Sequence, residues 1–204
     1  MPPDINDNSI QMQIIHAARY LFQAQGLHKV TMDDVAREIG KGRSSLYYYY
    51  KNKEELIEAA VVAEMQEILA GMSTAINAVD TFEDKIRAYC TARLKISLNK
   101  RAFSSMLDNV TTADEFKHYK SVRNTIYARF QKMEAPLVKE ILQSGISNGF
   151  LRDMDANEQN TIVFIILSTT LGLKKEMMIN KRISDAAEPV ITMLISLIAD
   201  RFKR

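Results

Sequence analysis

Between positions 41 and 53 the chain reads K-G-R-S-S-L-Y-Y-Y-Y-K-N-K, a run dense in cations, hydroxyls and phenols. Arg43 offers a planar fork of N–H donors, and Ser44, Ser45, Tyr47, Tyr48 and Tyr49 offer hydroxyls. Lys51 and Lys53 add point charge. Guanidinium, hydroxyl and ammonium groups together suit phosphate oxygens and base edges, and phenol rings pack on sugars and thymine methyls. At about 100° per residue, Leu46 and Tyr50 fall on one side of a helix, while Ser44 and Tyr48 fall on the other. The spacing therefore predicts a short helix with Leu46 and Tyr50 inward and its polar face free to meet DNA.

Two amphipathic segments precede this helix and must position it. Ile14, Ala18, Leu21 and Phe22 recur at helical spacing, and Gly26 follows as a left-handed stop. Thr31 is suited to cap a second helix, with Asp33 and Asp34 favourable in its first turn and Met32, Val35, Ala36 and Ile39 apolar. Gly40 ends it. A helix beginning near Gly42 then completes a helix-turn-helix, in which the second helix enters the major groove.

The stretch from Thr31 to Leu56 resembles the DNA-binding segment of TetR-type bacterial repressors. The resemblance rests on Leu46, Tyr47, Tyr49, Tyr50, Lys51 and Lys53, followed by Glu54, Glu55 and Leu56 at the start of a linking helix. It covers roughly the first quarter of the chain. Three positions depart from the family pattern: Lys41 stands where an aliphatic is common, Gly42 where a serine often caps, and Tyr50 where phenylalanine is usual. The resemblance implies that Arg43, Ser44, Ser45 and Tyr48 approach base edges and that Thr31, Tyr47, Tyr49 and Lys53 hold phosphates. It also implies an all-α protein, with residues 1–52 as the DNA-binding domain and 53–204 as a helical effector-binding and dimerisation domain.

Composition agrees without deciding the matter. The chain has 204 residues, 47% of them hydrophobic, and a formal charge of only +2, so any nucleic-acid affinity comes from local rather than global charge. Cys90 is the sole cysteine, which excludes an intrachain disulfide, and its neighbours Ile86, Tyr89 and Leu94 read as a packed face. His16, His28 and His118 are scattered, so neither a metal nor another cofactor is expected. The longest apolar run, 162–167, is far shorter than the ~20 residues a bilayer requires. With no apolar signal segment near Met1, the expectation is a cytoplasmic protein with no membrane partner.

Beyond Lys53 the pattern is helical nearly throughout. A first break is expected over 71–80, Thr81 as the cap of the following helix, a short helical piece over 103–107, and a long helix over 114–147 kinked by Pro136. The helices around 160–174 and 189–202 are apolar on more than one side. One side is expected to meet a second copy of the chain, as in TetR-like proteins, with Ile162, Ile166, Thr169, Leu194 and Leu197 at a homodimer interface. An effector cavity is expected among the middle helices, drawn from Tyr89, Arg93, Met106, Arg123, Tyr127, Phe130 and Phe164.

The leading expectation is thus a non-enzymatic repressor released from a palindromic double-stranded operator by a small apolar or amphipathic effector of unknown identity. A constitutive DNA-binding protein without effector, and a small helical enzyme, are the alternatives. No serine-histidine-aspartate, cysteine-histidine or paired-carboxylate pattern stands out for the latter.

Overall fold

The computed structural model describes residues 5–98, 113–179 and 184–204, and these form helices joined by short turns. In chain order they are α1 (Ile5–Gln25), α2 (Met32–Glu38), α3 (Arg43–Tyr49), α4 (Lys53–Asn77), α5 (Phe82–Leu98), α6 (Ala113–Ser147), α7 (Ala156–Ile179) and α8 (Ser184–Phe202). The fold is all-α, and the short helical piece expected over 103–107 lies outside the described residues.

The described residues fall into two compact units, 5–67 with 113–128, and 68–98 with 129–179 and 184–204. The first therefore runs beyond residue 52, through the opening turns of α4. Burial explains this, since Leu56, Ile57, Ala60 and Val61 are fully enclosed. Arg19 on α1 also reaches Glu67 with both guanidinium nitrogens, at 2.7 and 3.0 Å. α4 continues unbroken through Gly71 to Asn77, where a break was expected. A glycine inside a helix costs about 1 kcal/mol, a loss that burial of the adjacent Met72 offsets.

In the first unit α1 presents Ile14, Ala18, Leu21 and Phe22 to the core. It ends at Gly26, where φ is +88° and the N–H returns to the Phe22 carbonyl at 2.9 Å. In the second unit α5 packs against α7 and α8, which also pack on each other. Thr81 caps α5 by accepting from the Asp84 N–H at 3.1 Å, and Asp155 caps α7 by accepting from the Glu158 N–H at 2.8 Å. Pro136 sits inside α6, where it removes one backbone donor. An antiparallel bridge between Leu151 and Lys203 ties the turn before α7 to the end of α8. The last turn of α6 packs closely at Gly145, where a β-carbon would stand 2.9 Å from Leu151 Cδ1 and 3.0 Å from Phe82 Cδ2.

Candidate nucleic-acid interface

α2 and α3 pack directly on each other, and their geometry begins at Thr31. Its hydroxyl accepts from the Asp34 N–H at 3.2 Å, while the Asp34 carboxylate accepts from the Thr31 N–H at 2.9 Å and from its hydroxyl at 2.7 Å. This reciprocal capping box satisfies donors that the first turn leaves open. The same hydrogen bonds, the hydroxyl's first, hold the Asp34 carboxyl below its ordinary value.

α2 then stops on a Schellman arrangement. Gly40, at φ +64°, donates to the Arg37 carbonyl at 3.0 Å, and Lys41 donates to Ala36 at 2.9 Å. Lys41 thus uses its backbone to close the turn, so an aliphatic side chain is not needed for that closure. Gly42 caps α3 with its carbonyl alone, accepting from Ser45 at 3.0 Å, and contributes no side-chain bond.

The orientation of α3 follows the helical pattern. Leu46 and Tyr50 are buried, Arg43, Ser44 and Tyr47 are exposed, and Tyr48 stands 77% exposed. Ser45 and Tyr49 are half-buried at the edge. The rings of Tyr48 and Tyr49 meet edge to face with centroids 5.0 Å apart. Lys41, Ser44, Ser45, Tyr48 and Tyr49 line an open hollow together with Ile10 of α1.

Arg43 is held from two sides. Its Nε and Nη1 lie 3.4 Å from the two oxygens of Asp33, and its Nη2 donates to the Tyr47 hydroxyl at 3.3 Å. The guanidinium also lies over the Tyr47 ring at 5.2 Å. Lys53 is more enclosed than a surface lysine. Its ammonium donates to the His28 carbonyl at 3.4 Å and approaches the Phe22 ring at 6.0 Å, and burial lowers its pKa. Asn52 caps α4 by accepting from the Glu55 N–H at 2.8 Å, and Glu55 accepts from the Lys51 N–H at 2.6 Å.

The Tyr50 hydroxyl is the one buried side-chain polar atom, among the described residues, without a hydrogen bond. Burial pushes its phenol above the ordinary tyrosine range, and the Gln11 side chain, near but outside hydrogen-bonding geometry, offsets this only in part.

The residues expected around an effector are separated by the structure. Tyr89, Arg93 and Phe130 converge on Glu134, which the sequence reading had not singled out. The Tyr89 hydroxyl donates to Glu134 Oε1 at 2.8 Å, Arg93 Nε does so at 2.6 Å, and the Arg93 guanidinium covers the Phe130 ring at 4.5 Å. Burial first, and the Glu134 charge second, raise the Tyr89 pKa. Tyr127 is half-buried on α6. Phe164 does not join this group, because it stands 70% exposed on α7. Met106 and the Arg123 side chain lie outside the described residues.

The expected dimer positions also divide. Ile162, Ile166 and Leu194 are enclosed in the core of their own protomer, Thr169 is half-buried, and Leu197 is 61% exposed. The exposed apolar side chains on these helices are instead Phe164, Ile165 and Leu171 of α7, and Val190, Met193 and Leu197 of α8. Both helices are apolar almost all round, so sequence spacing alone did not distinguish the inward stripe from the outward one.

Among the described residues no three histidine, cysteine, aspartate or glutamate side chains are grouped to hold a metal ion. α4 is long and apolar enough to cross a bilayer by composition, yet it carries the buried side chains of Leu56, Ile57, Ala60 and Val61.

A capped α2, a glycine turn and an α3 exposing arginine, serine and tyrosine define a helix-turn-helix DNA-binding protein of all-α architecture. Residues 14–60 match the family described as bacterial regulatory proteins, tetR family. That segment, from α1 into α4, is similar to the DNA-binding part of TetR-family transcriptional regulators. It is 24% identical over 159 residues to YxaF of Bacillus subtilis, an uncharacterized HTH-type transcriptional regulator, across 74% of this chain and 77% of that one. Over 49 residues it is 39% identical to IcaR of Staphylococcus epidermidis, a negative regulator of the biofilm operon icaADBC, spanning 24% of this chain and 26% of that one. The fold is shared with FadR of Bacillus subtilis solved with stearoyl-CoA, at TM-score 0.60, 20% identity, and 91% and 97% coverage of the two chains.

Proposed function

We propose that the protein is a homodimeric repressor that binds a near-palindromic operator and leaves it when a small amphipathic effector binds the second unit. The exposed face of α3 carries the DNA-binding part of this reading. Arg43, Ser44, Ser45 and Tyr48 are the base-edge candidates, and Thr31, Tyr47, Tyr49 and Lys53 the phosphate candidates. Lys53 is set back against Phe22, so its contact is with the nearest phosphate oxygen rather than with a base.

The homodimer reading is supported by the two outward apolar stripes. Val190, Met193 and Leu197 recur at i, i+3 and i+7 on α8, and Phe164 and Leu171 stand at i and i+7 on α7. An exposed apolar patch of this kind costs solubility unless it is covered. A second copy covers it symmetrically, making a four-helix contact, and two α3 helices then address half-sites about 34–36 Å apart. Operator binding requires such a regulator to share the cytoplasm with the DNA.

The effector reading rests on relatives and on one local feature. A solved relative holds stearoyl-CoA, and a curated relative, 28% identical over 87 residues, is a fatty acid metabolism regulator of Bacillus subtilis. In this chain that feature is the Arg93 guanidinium over the Phe130 ring, a cation beside an apolar wall, with Glu134 already accepting from Arg93 Nε and from the Tyr89 hydroxyl. Effector affinity for the two dimer states would differ, and operator affinity would fall by that difference.

The test is a selection of random duplexes on the purified protein, followed by titration of the enriched duplex with acyl-CoA thioesters and free fatty acids. An inverted repeat released by one of these supports the whole reading. An enriched repeat that no such ligand releases removes the proposed effector class, and the absence of any enriched sequence removes the operator.

A further inference from the structure

An aspartate on a surface that approaches phosphates weakens binding to every duplex, whatever its sequence. Asp33 is such a residue. It lies at the start of α2, half of its side chain is exposed, and it faces the first residue of α3. Both of its oxygens lie 3.4 Å from Arg43, one at Nε and one at Nη1, while the Tyr47 hydroxyl accepts from Nη2 at 3.3 Å and the Tyr47 ring lies beneath the guanidinium.

An arginine side chain has four rotatable bonds and covers many positions when unrestrained, so its contact with a base normally includes the entropy of ordering it. Here a carboxylate on one helix and a phenol one turn along the other meet three of its nitrogens before DNA arrives. The N–H groups left over on Nη1 and Nη2 are then presented together from the first turn of α3, the turn that addresses base edges in a helix-turn-helix. Two parallel donors match the O6 and N7 acceptors of guanine, and no other base shows two acceptors in the major groove.

We propose that Asp33 is a positioning residue for Arg43, and that the pair, steadied by Tyr47, commits each half-site to a G·C pair opposite the start of α3. This rests on the reading of α3 as the DNA-reading helix. Asp33 gives up general affinity through phosphate repulsion and returns it as selectivity at one base pair. Its electrostatic contribution to the fold is small, because an exposed ion pair contributes little to stability.

The experiment is a selection of random duplexes with the parent, Asp33→Ala, Arg43→Ala and the double variant, with binding to an unrelated duplex measured alongside. The parent is expected to enrich one symmetric G·C pair that Arg43→Ala no longer prefers. Asp33→Ala is expected to lose about 10-fold or more of that preference while binding the unrelated duplex more tightly. In base preference the double variant should match Arg43→Ala alone, because the two side chains read the base through one contact, while it binds the unrelated duplex more tightly than Arg43→Ala does. A residue that only helped α2 to start would change melting temperature and leave base preference alone. Asp33→Ser, too short to reach the guanidinium but well suited to a helix start, repeats the measurement should the alanine variant unfold. Unchanged preference at that pair in a folded Asp33 variant overturns the proposal and leaves operator binding standing. Failure of the parent to enrich any sequence overturns the DNA-reading assignment and this proposal with it.

Discussion

Arg93 Nε lies 2.6 Å from Glu134 Oε1, with the two side chains only 11% and 3% exposed. The contact joins α5 to α6 inside the second unit, and Tyr89 donates to the same oxygen. Taking two charges out of water costs several kcal/mol per ion, which mutual attraction and the added hydroxyl must repay. Such a pair is therefore asymmetric in its response to mutation. Arg93→Met should destabilise by about 3–5 kcal/mol, because it strands a buried carboxylate. Arg93→Met combined with Glu134→Leu should recover most of that loss. Urea unfolding of the single and double variants checks both, and a single variant as stable as the parent would mean that the pair is not closed in solution.

The Tyr50 hydroxyl offers the opposite case. A buried hydroxyl without a hydrogen bond costs about 1–3 kcal/mol, and phenylalanine keeps the ring that fills the site. Tyr50→Phe should leave the head as stable as before or more so, with DNA affinity unchanged because the side chain faces inward. A lowered melting temperature would show that the hydroxyl has a partner in solution.

Association should separate the two apolar stripes. Phe164→Glu or Leu197→Glu adds charge to an exposed position and should give a folded monomer by sedimentation. Ile166→Glu puts the charge into the protomer's own core and should unfold the second unit. A dimer that persists in both Phe164→Glu and Leu197→Glu would place the contact elsewhere.

Salt dependence tests the phosphate assignment. Lys53→Ala should weaken all duplexes alike and flatten the slope of log affinity against log salt by roughly one unit. Arg43→Ala should instead cost about 1–3 kcal/mol at one symmetric pair of positions. Parental salt slopes in Lys53→Ala would show that its ammonium stays on the His28 carbonyl.

Acid stability follows from carboxylates held below their ordinary values. Asp34 is lowered by Thr31, Glu67 by Arg19 and Glu158 by Arg152, in each case through a side-chain hydrogen bond first. A group whose folded pKa is depressed contributes stability above its unfolded pKa and loses it as pH falls through the folded one. Melting temperature should accordingly hold near neutrality and decline from about pH 4 downward. Glu67→Gln should lower the plateau and make the decline shallower, and a decline as steep as the parent's would remove the Arg19 contact from the account.

Why some of this was legible and some not is a matter of sequence distance. Leu46, Tyr48 and Tyr50 lie within one helix, so a 3.6-residue period was enough to sort inward from outward. Thr31 with Asp34, and Gly40 with Lys41, are local motifs whose partners lie within a few residues. Glu134 meets Arg93 and Tyr89 across 41 and 45 positions, and no local pattern announces a carboxylate on an apolar face as paired. Ile166 and Phe164 are two residues apart on a helix apolar on every side, so only packing against α5 and α8 decides which one is inside.

Cys90 is fully buried beside Tyr89, and burial pushes its thiol up to about 12. Only the thiolate attacks an electrophile, so at neutral pH the folded chain barely reacts with maleimide or iodoacetamide, whereas an opened chain reacts as a free cysteine does. Because this is the chain's sole cysteine, the labelling rate is a direct clock for opening of the second unit. A ligand that slows the clock binds the closed form of that unit, and can be found this way without knowing the operator, the regulated genes or the oligomeric state.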